Sequence, residues 1–194
     1  MTIERTNYND FFSQGGTEIK ETRTIDDVEM KKNCIEIVKN YFEYEGLDVE
    51  YSLSGLERRA EIAYSFYYDI KKEMGIDAEL VFTEMPNENM LGGYNPDTNE
   101  ITLNMKYLEN PDFKDLSETI LHEARHAFQE YAVEHPEKVT VSYKVIDAWK
   151  ENFDNYIQPC YDFEAYENQE IEKDANYYAT TVMDKGTDLN YYIG

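Results

Sequence analysis

Three side chains within one run of five can do metal chemistry: His122, Glu123 and His126, in His122-Glu123-Ala124-Arg125-His126. Histidines four apart project from one face of a helix, so both imidazoles can approach a single ion. A glutamate directly after the first histidine stands beside that ion, where it can take a proton from water that the ion has acidified. Zinc suits the pattern, because it brings the pKa of water into a carboxylate's reach and polarises a carbonyl under attack. The chemistry indicated is hydrolysis, with Glu123 as general base and His122 and His126 as metal ligands. Only three histidines occur in the chain, and two of them fall here. An acid beside Leu121 and Ala124 would also be a costly choice for a purely structural face, since an unpaired buried carboxylate is expensive.

Catalytic zinc takes three protein ligands and keeps one position open. The third histidine, His135, lies next to Pro136 beyond the helix, and the HExxHxxGxxH arrangement is not met, because Gln129 and Ala132 occupy its glycine and last histidine positions. The last helix is the better source. Its apolar stripe is Ile171, Ala175, Tyr178, Ala179 and Val182, and Glu172 borders that stripe beside the small residues Ala175 and Ala179. Small side chains let a neighbouring helix come close enough for a carboxylate to reach a shared metal. Glu172 is the preferred third ligand, with Glu170 and Asp174 as competitors.

The elements that must position these groups follow from periodicity. A first helix should begin near Asp26, with Glu29 at capping-box spacing, bury Val28, Cys34, Ile35, Val38, Tyr41 and Phe42, and stop at Gly46. A second should open at Ser54-Gly55-Leu56-Glu57 and run through Leu56, Ala60, Ala63, Tyr64, Tyr67 and Ile70 to Gly75. Residues 78–85 read as a strand. A two-glycine bend at Gly92-Gly93, a turn at Asn95-Pro96-Asp97 and a short strand near Glu100–Leu103 follow. Asp115 and Glu118 should cap the motif helix, which Pro136 ends. Another helix is expected over 141–157, with Ile146, Trp149, Phe153 and Tyr156 inward, and the last over 169–185, stopping at Gly186. The fold class is α+β, with residues 1–24 as an N-terminal arm and 25–194 as one domain built on a small mixed sheet.

Lys and Arg total 18 against 41 Asp and Glu, a formal net charge of −23 over 194 residues. That balance argues against a basic groove for nucleic acid and against attraction to an anionic membrane. Aromatics at 14% argue against an acidic disordered tail. No apolar run is long enough to span a membrane, the N-terminus has no secretory pattern, and Cys34 and Cys160 read as reduced thiols, so the expected location is cytoplasmic.

With these residues in place, the chain resembles gluzincin-type zinc metallopeptidase domains, near the ImmA/IrrE-like and minigluzincin groups. The resemblance rests on Glu100-Ile-Thr-Leu-Asn104, on the helix Glu118–Gln129 and on Glu170–Ala179, and covers roughly residues 78–183. It implies a zincin-like domain in which the strand is an exposed edge above the active-site helix, able to pair with an extended peptide. It also implies a glutamate ligand in an E-x-x-A helix pattern, matched by Glu172-Lys-Asp-Ala175. No further histidine is available to steady an oxyanion. A tyrosine can do that work, and Tyr166, Tyr177 and Tyr178 lie near the right segment. Asp174 is a candidate to hold the far nitrogen of a ligand histidine. Arg125 is expected on the solvent side or in a salt bridge.

The reading is a zinc-dependent hydrolase of peptide bonds, acting on a neutral or basic peptide or protein segment. Its rivals are an acidic protein-binding module mimicking nucleic-acid charge, with a structural or vestigial zinc site, and a regulatory metallodomain of a mobile element.

Overall fold

A computed structural model describes residues 24–85, 90–110 and 112–188. All but Thr24 of the expected N-terminal arm, its Gly15 and Gly16 included, and Pro111 lie outside the described residues. The helices are α1 (Asp27–Lys39), α2 (Leu47–Leu53), α3 (Leu56–Met74), α4 (Lys106–Glu109), α5 (Phe113–Glu134), α6 (Tyr143–Asp154), α7 (Phe163–Glu167) and α8 (Glu170–Thr187), and the strands are β1 (Glu79–Thr83), β2 (Gly92–Asn95) and β3 (Glu100–Asn104). Helices and a small mixed sheet make an α+β fold.

Asp26 caps α1, its Oδ1 accepting from the backbone N–H groups of Val28 and Glu29 at 3.0 and 3.1 Å. Such a cap is worth roughly 1 kcal/mol. The segment entering α1 is pinned to the α5–α6 link, where Ile25 N–H donates to the Lys138 carbonyl and the Ile25 carbonyl accepts from Thr140 N–H. The buried stripe is Met30, Cys34, Ile35 and Val38, with Tyr41 in the π-helical turn Asn40–Tyr44 that follows. Val28 is 64% exposed and does not join the stripe.

Two helix starts differ from expectation. Helix α3 is entered through Gly55 with no side-chain cap, and Leu56 at its first position is exposed. Helix α5 begins at Phe113, capped by Asp112 rather than Asp115: the Asp112 carboxylate accepts from the N–H groups of Lys114 and Asp115. Asp112, Asp115 and Glu118 are spaced alike, so the pattern permits either start. Burial decides it, because Phe113 must turn into the ring cluster of Tyr41, Tyr51 and Phe66.

The sheet has the order β1-β3-β2, β1 parallel to β3 and β2 antiparallel to it. Two expectations are corrected here. Gly92-Gly93 is strand, and Glu100–Asn104 is the central strand, paired on both sides, not an exposed edge. The first has a steric side at Gly92, while Gly93 faces open space. A Cβ on Gly92 would meet Leu103 Cδ2 at 2.7 Å and Thr119 Cγ2 at 3.3 Å, so a glycine at position 92 lets β2 lie close to β3 and α5. Tyr94 fastens the same strand to α5 by donating a hydrogen bond to Glu130.

Helix α5 runs through the core, packed against α3, α6 and α8, and α8 packs in turn on α1. Helix α8 continues through Gly186 to Thr187 instead of stopping there. A Cβ on Gly186 would lie 2.5 Å from Val38 Cγ1. That glycine serves the close approach of α8 to α1, and close packing outweighs its weak helix propensity. Among the described residues no helix is long and apolar enough to cross a membrane, and Cys34 and Cys160 are free thiols, buried and exposed respectively.

Candidate metal centre

The middle of α5 puts His122, Glu123 and His126 in one cluster, with a potential ligand atom of each within 4.8 Å of the others. This is an HExxH-type metal-binding arrangement. The Nε2 atoms of His122 and His126 lie 3.0 Å apart, the two rings nearly perpendicular. Glu123 is 7% exposed and, with His122, lines a cleft of about 770 Å³. Leu91 and Gly92 bound this cleft on the strand side and Phe163 and Tyr166 on the α7 side.

Helix α8 brings Glu172 against the histidine pair. Its Oε2 is 3.4 Å from His122 Nε2 and its Oε1 is 3.5 Å from His126 Nε2. Glu172 is 0% exposed, and its Oε1 accepts a 2.7 Å hydrogen bond from Tyr156. Its Oε2 has no hydrogen-bond partner among the described residues. Burial pushes the Glu172 carboxyl up, but the neighbouring His122 and His126 rings outweigh that and hold it well below the ordinary carboxylate range. His126 is raised: burial disfavours its charged form, and the Glu172 carboxylate beside it more than compensates. Burial, and then the neighbouring Glu172 charge, raise the Tyr156 and Tyr166 hydroxyls, which therefore stay protonated donors.

The other sequence candidates are elsewhere. Glu170 is exposed and pairs with Lys173. Asp174 accepts from Arg125 Nε at 2.7 Å and from Gln129 Nε2 at 2.8 Å. It reaches His126 only through Gln129, whose Oε1 is 2.8 Å from His126 Nδ1. His135 closes the C-terminal end of α5 with its ring against Tyr131. Among the tyrosines, Tyr177 is exposed beneath Lys31, Tyr178 is fully buried against Arg125, and Tyr166 alone of the three lines the cleft.

Arg125 is not on the solvent side. It is 2% exposed, paired with Asp174 on one side and with Asp27 of α1 on the other, and surrounded by the rings of Phe128, Trp149 and Tyr178. Burial alone would push the guanidinium down, and Asp174, then Asp27, reverse this and raise it. Two site residues were missed in the sequence. Gln129 sits three residues past His126, on the same face of the helix, and that spacing was the available signal. Tyr156 was read as core, because its apolar body fits the α6 stripe; it lies beyond the end of α6, where its hydroxyl turns to Glu172.

Compared with known proteins, the chain matches no family model, no curated protein and no solved structure.

Proposed function

We propose that this protein is a zinc-dependent peptide hydrolase in which His122, His126 and Glu172 hold the metal and Glu123 is the general base. The observation that carries the reading is the convergence of two imidazole Nε2 atoms with a fully buried carboxylate, one oxygen of which lacks a hydrogen-bond partner among the described residues. Two neutral nitrogen donors and one carboxylate form a ligand set suited to zinc that leaves a position open. Bound there, zinc supplies Lewis acidity, lowering the pKa of water and polarising the carbonyl to be attacked.

The chain's own groups do the rest. Glu123, on the cleft wall beside the histidines, takes the proton from the attacking water and delivers it to the leaving nitrogen. Tyr156 is already committed to Glu172 and orients that carboxylate. Tyr166 lines the cleft and keeps its proton beside the Glu172 carboxylate, and it is the tyrosine we assign to the oxygen on which negative charge develops. Asp115, Glu118 and Glu123 also line the cleft, so a neutral or basic segment is favoured over an acidic one. This reading agrees with the resemblance to gluzincin-type domains, with 25–194 acting as one domain in the cytoplasm.

The test pairs metal content with turnover. Wild-type protein should hold about one zinc per chain. Glu123→Gln should keep that zinc and lose hydrolysis of a peptide library by about 10²- to 10⁴-fold. Wild-type protein that takes up no zinc when it is supplied would sink the proposal. Zinc uptake with every peptide left intact would favour an acidic binding module.

A further inference from the structure

The hydrogen bonds around Gln129 can be assigned atom by atom. Its Nε2 lies 3.0 Å from the Ile171 carbonyl oxygen and 2.8 Å from Asp174 Oδ2, and both are acceptors only. Asp174 in turn takes Arg125 Nε on the same oxygen at 2.7 Å and Arg125 Nη2 on the other at 3.2 Å. Both hydrogens of the Gln129 amide are thereby used, and its oxygen is the atom that faces His126 Nδ1 at 2.8 Å. An amide oxygen cannot donate. The hydrogen in that contact therefore belongs to His126 Nδ1, and the neutral ring presents its Nε2 lone pair toward His122 and Glu172.

We infer that Gln129 is a positioning residue that locks His126 in the Nδ1–H tautomer, and that Asp174 and Arg125 hold the Gln129 amide in the orientation this requires. Flipping the amide would set its oxygen against the Asp174 carboxylate and the Ile171 carbonyl, a loss of two hydrogen bonds and a gain of two repulsions. Gln129 is fully buried, so water cannot compensate. The relay reaches α1, because Arg125 Nη1 donates to Asp27 Oδ1 at 2.5 Å. A free imidazole has two neutral tautomers, and only one offers Nε2 to a metal. Holding that form before the metal arrives removes a reorganisation that would otherwise weaken binding. The tautomer is a property of the protein alone. Its use in metal binding rests on the function proposed above.

The experiment is long-range ¹⁵N–¹H correlation NMR of the metal-free protein at alkaline pH, where His126 is neutral, with chelator-competition measurement of zinc affinity alongside. Wild-type His126 should show a protonated Nδ1 and a bare Nε2. Gln129→Met, of similar shape without the amide, should move His126 toward the Nε2–H form and weaken zinc by about 10- to 100-fold. A wild-type His126 protonated on Nε2 overturns the relay, and so does a folded Gln129→Met protein with the tautomer unchanged. The wild-type spectrum decides alone if the variant does not fold. A protein that binds no zinc yet keeps Nδ1–H would remove the proposed function and leave the relay standing. Zinc uptake with Nε2–H would do the reverse.

Discussion

Glu172 and Asp174 are separated by one residue on α8, and residues two apart on a helix do not share a face. Asp174 points to Arg125, a permanent cation with five donors, which also engages Asp27. Glu172 points to two histidines, which carry charge only when protonated, and leaves one buried oxygen without a hydrogen bond among the described residues. The Asp174 site is complete within the chain. At the Glu172 site a divalent cation would supply what the histidines supply only conditionally. One helix thus presents two carboxylates in different settings, and what distinguishes them is the partner on α5.

The comparison can be broken most severely at the Asp174 site. Asp174→Ala leaves a fully buried guanidinium with one carboxylate and should destabilise the protein by about 3 kcal/mol, read from urea unfolding. The figure is at the low end for a broken buried pair because Asp27 remains and Asp174 is partly exposed. Glu172→Gln in metal-free protein should change stability far less, since no permanent charge is stranded; a loss equal to that of Asp174→Ala would erase the distinction.

Zinc sharpens it next. At a free concentration of one hundred times its Kd, zinc should stabilise the wild type by about 2.7 kcal/mol in thermal or urea unfolding. Glu172→Gln should lose most of this gain at the same concentration, and chelation should return the wild type to its metal-free midpoint. An equal gain in both proteins would assign the third ligand elsewhere.

The smallest effect belongs to Glu130, a carboxylate with a tyrosine partner and no ion pair among the described residues. Burial, with Glu134 and Asp97 nearby, raises its pKa above the ordinary 4.5 despite the bond from Tyr94. A carboxyl whose folded pKa is raised contributes stability below the unfolded pKa, and that contribution is lost as pH rises through the folded value. Stability of the wild type should therefore slip on going upward from pH 4.5. Glu130→Gln, which still accepts from Tyr94, should flatten that slope and gain roughly 0.5 kcal/mol at neutral pH. A steeper slope in the variant would contradict this account.

The α+β class and the long helices were legible because apolar residues recur at helical spacing over α1, α3, α5, α6 and α8. The HExxH histidines could be placed on one face for the same reason. Strand β2 was not legible, since Gly92-Gly93 carries a bend signal and its reason for being extended lies in Leu103 and Thr119, remote in sequence. The central place of β3 depends on that strand and was lost with it. Among Glu170, Glu172 and Asp174, the pattern could rank the acids by their neighbours but could not see the partners of Glu172 and Asp174 on α5, more than forty residues away. For Arg125 the sequence left the solvent side and a salt bridge both open, because the two carboxylates that accept it are distant.

That distance has a kinetic consequence. Arg125 meets Asp174 across 49 residues of chain and Asp27 across 98, so one guanidinium closes two large loops. Doubling a loop's length adds only about 0.6 kcal/mol of closure entropy, so the longer tie is scarcely costlier than the shorter. Contacts of such separation are among the last to form, after helices and hairpin have condensed. A latch closed over such separations is expected to form late, so Arg125→Met should speed unfolding more than it slows folding, as read from the two limbs of a urea chevron.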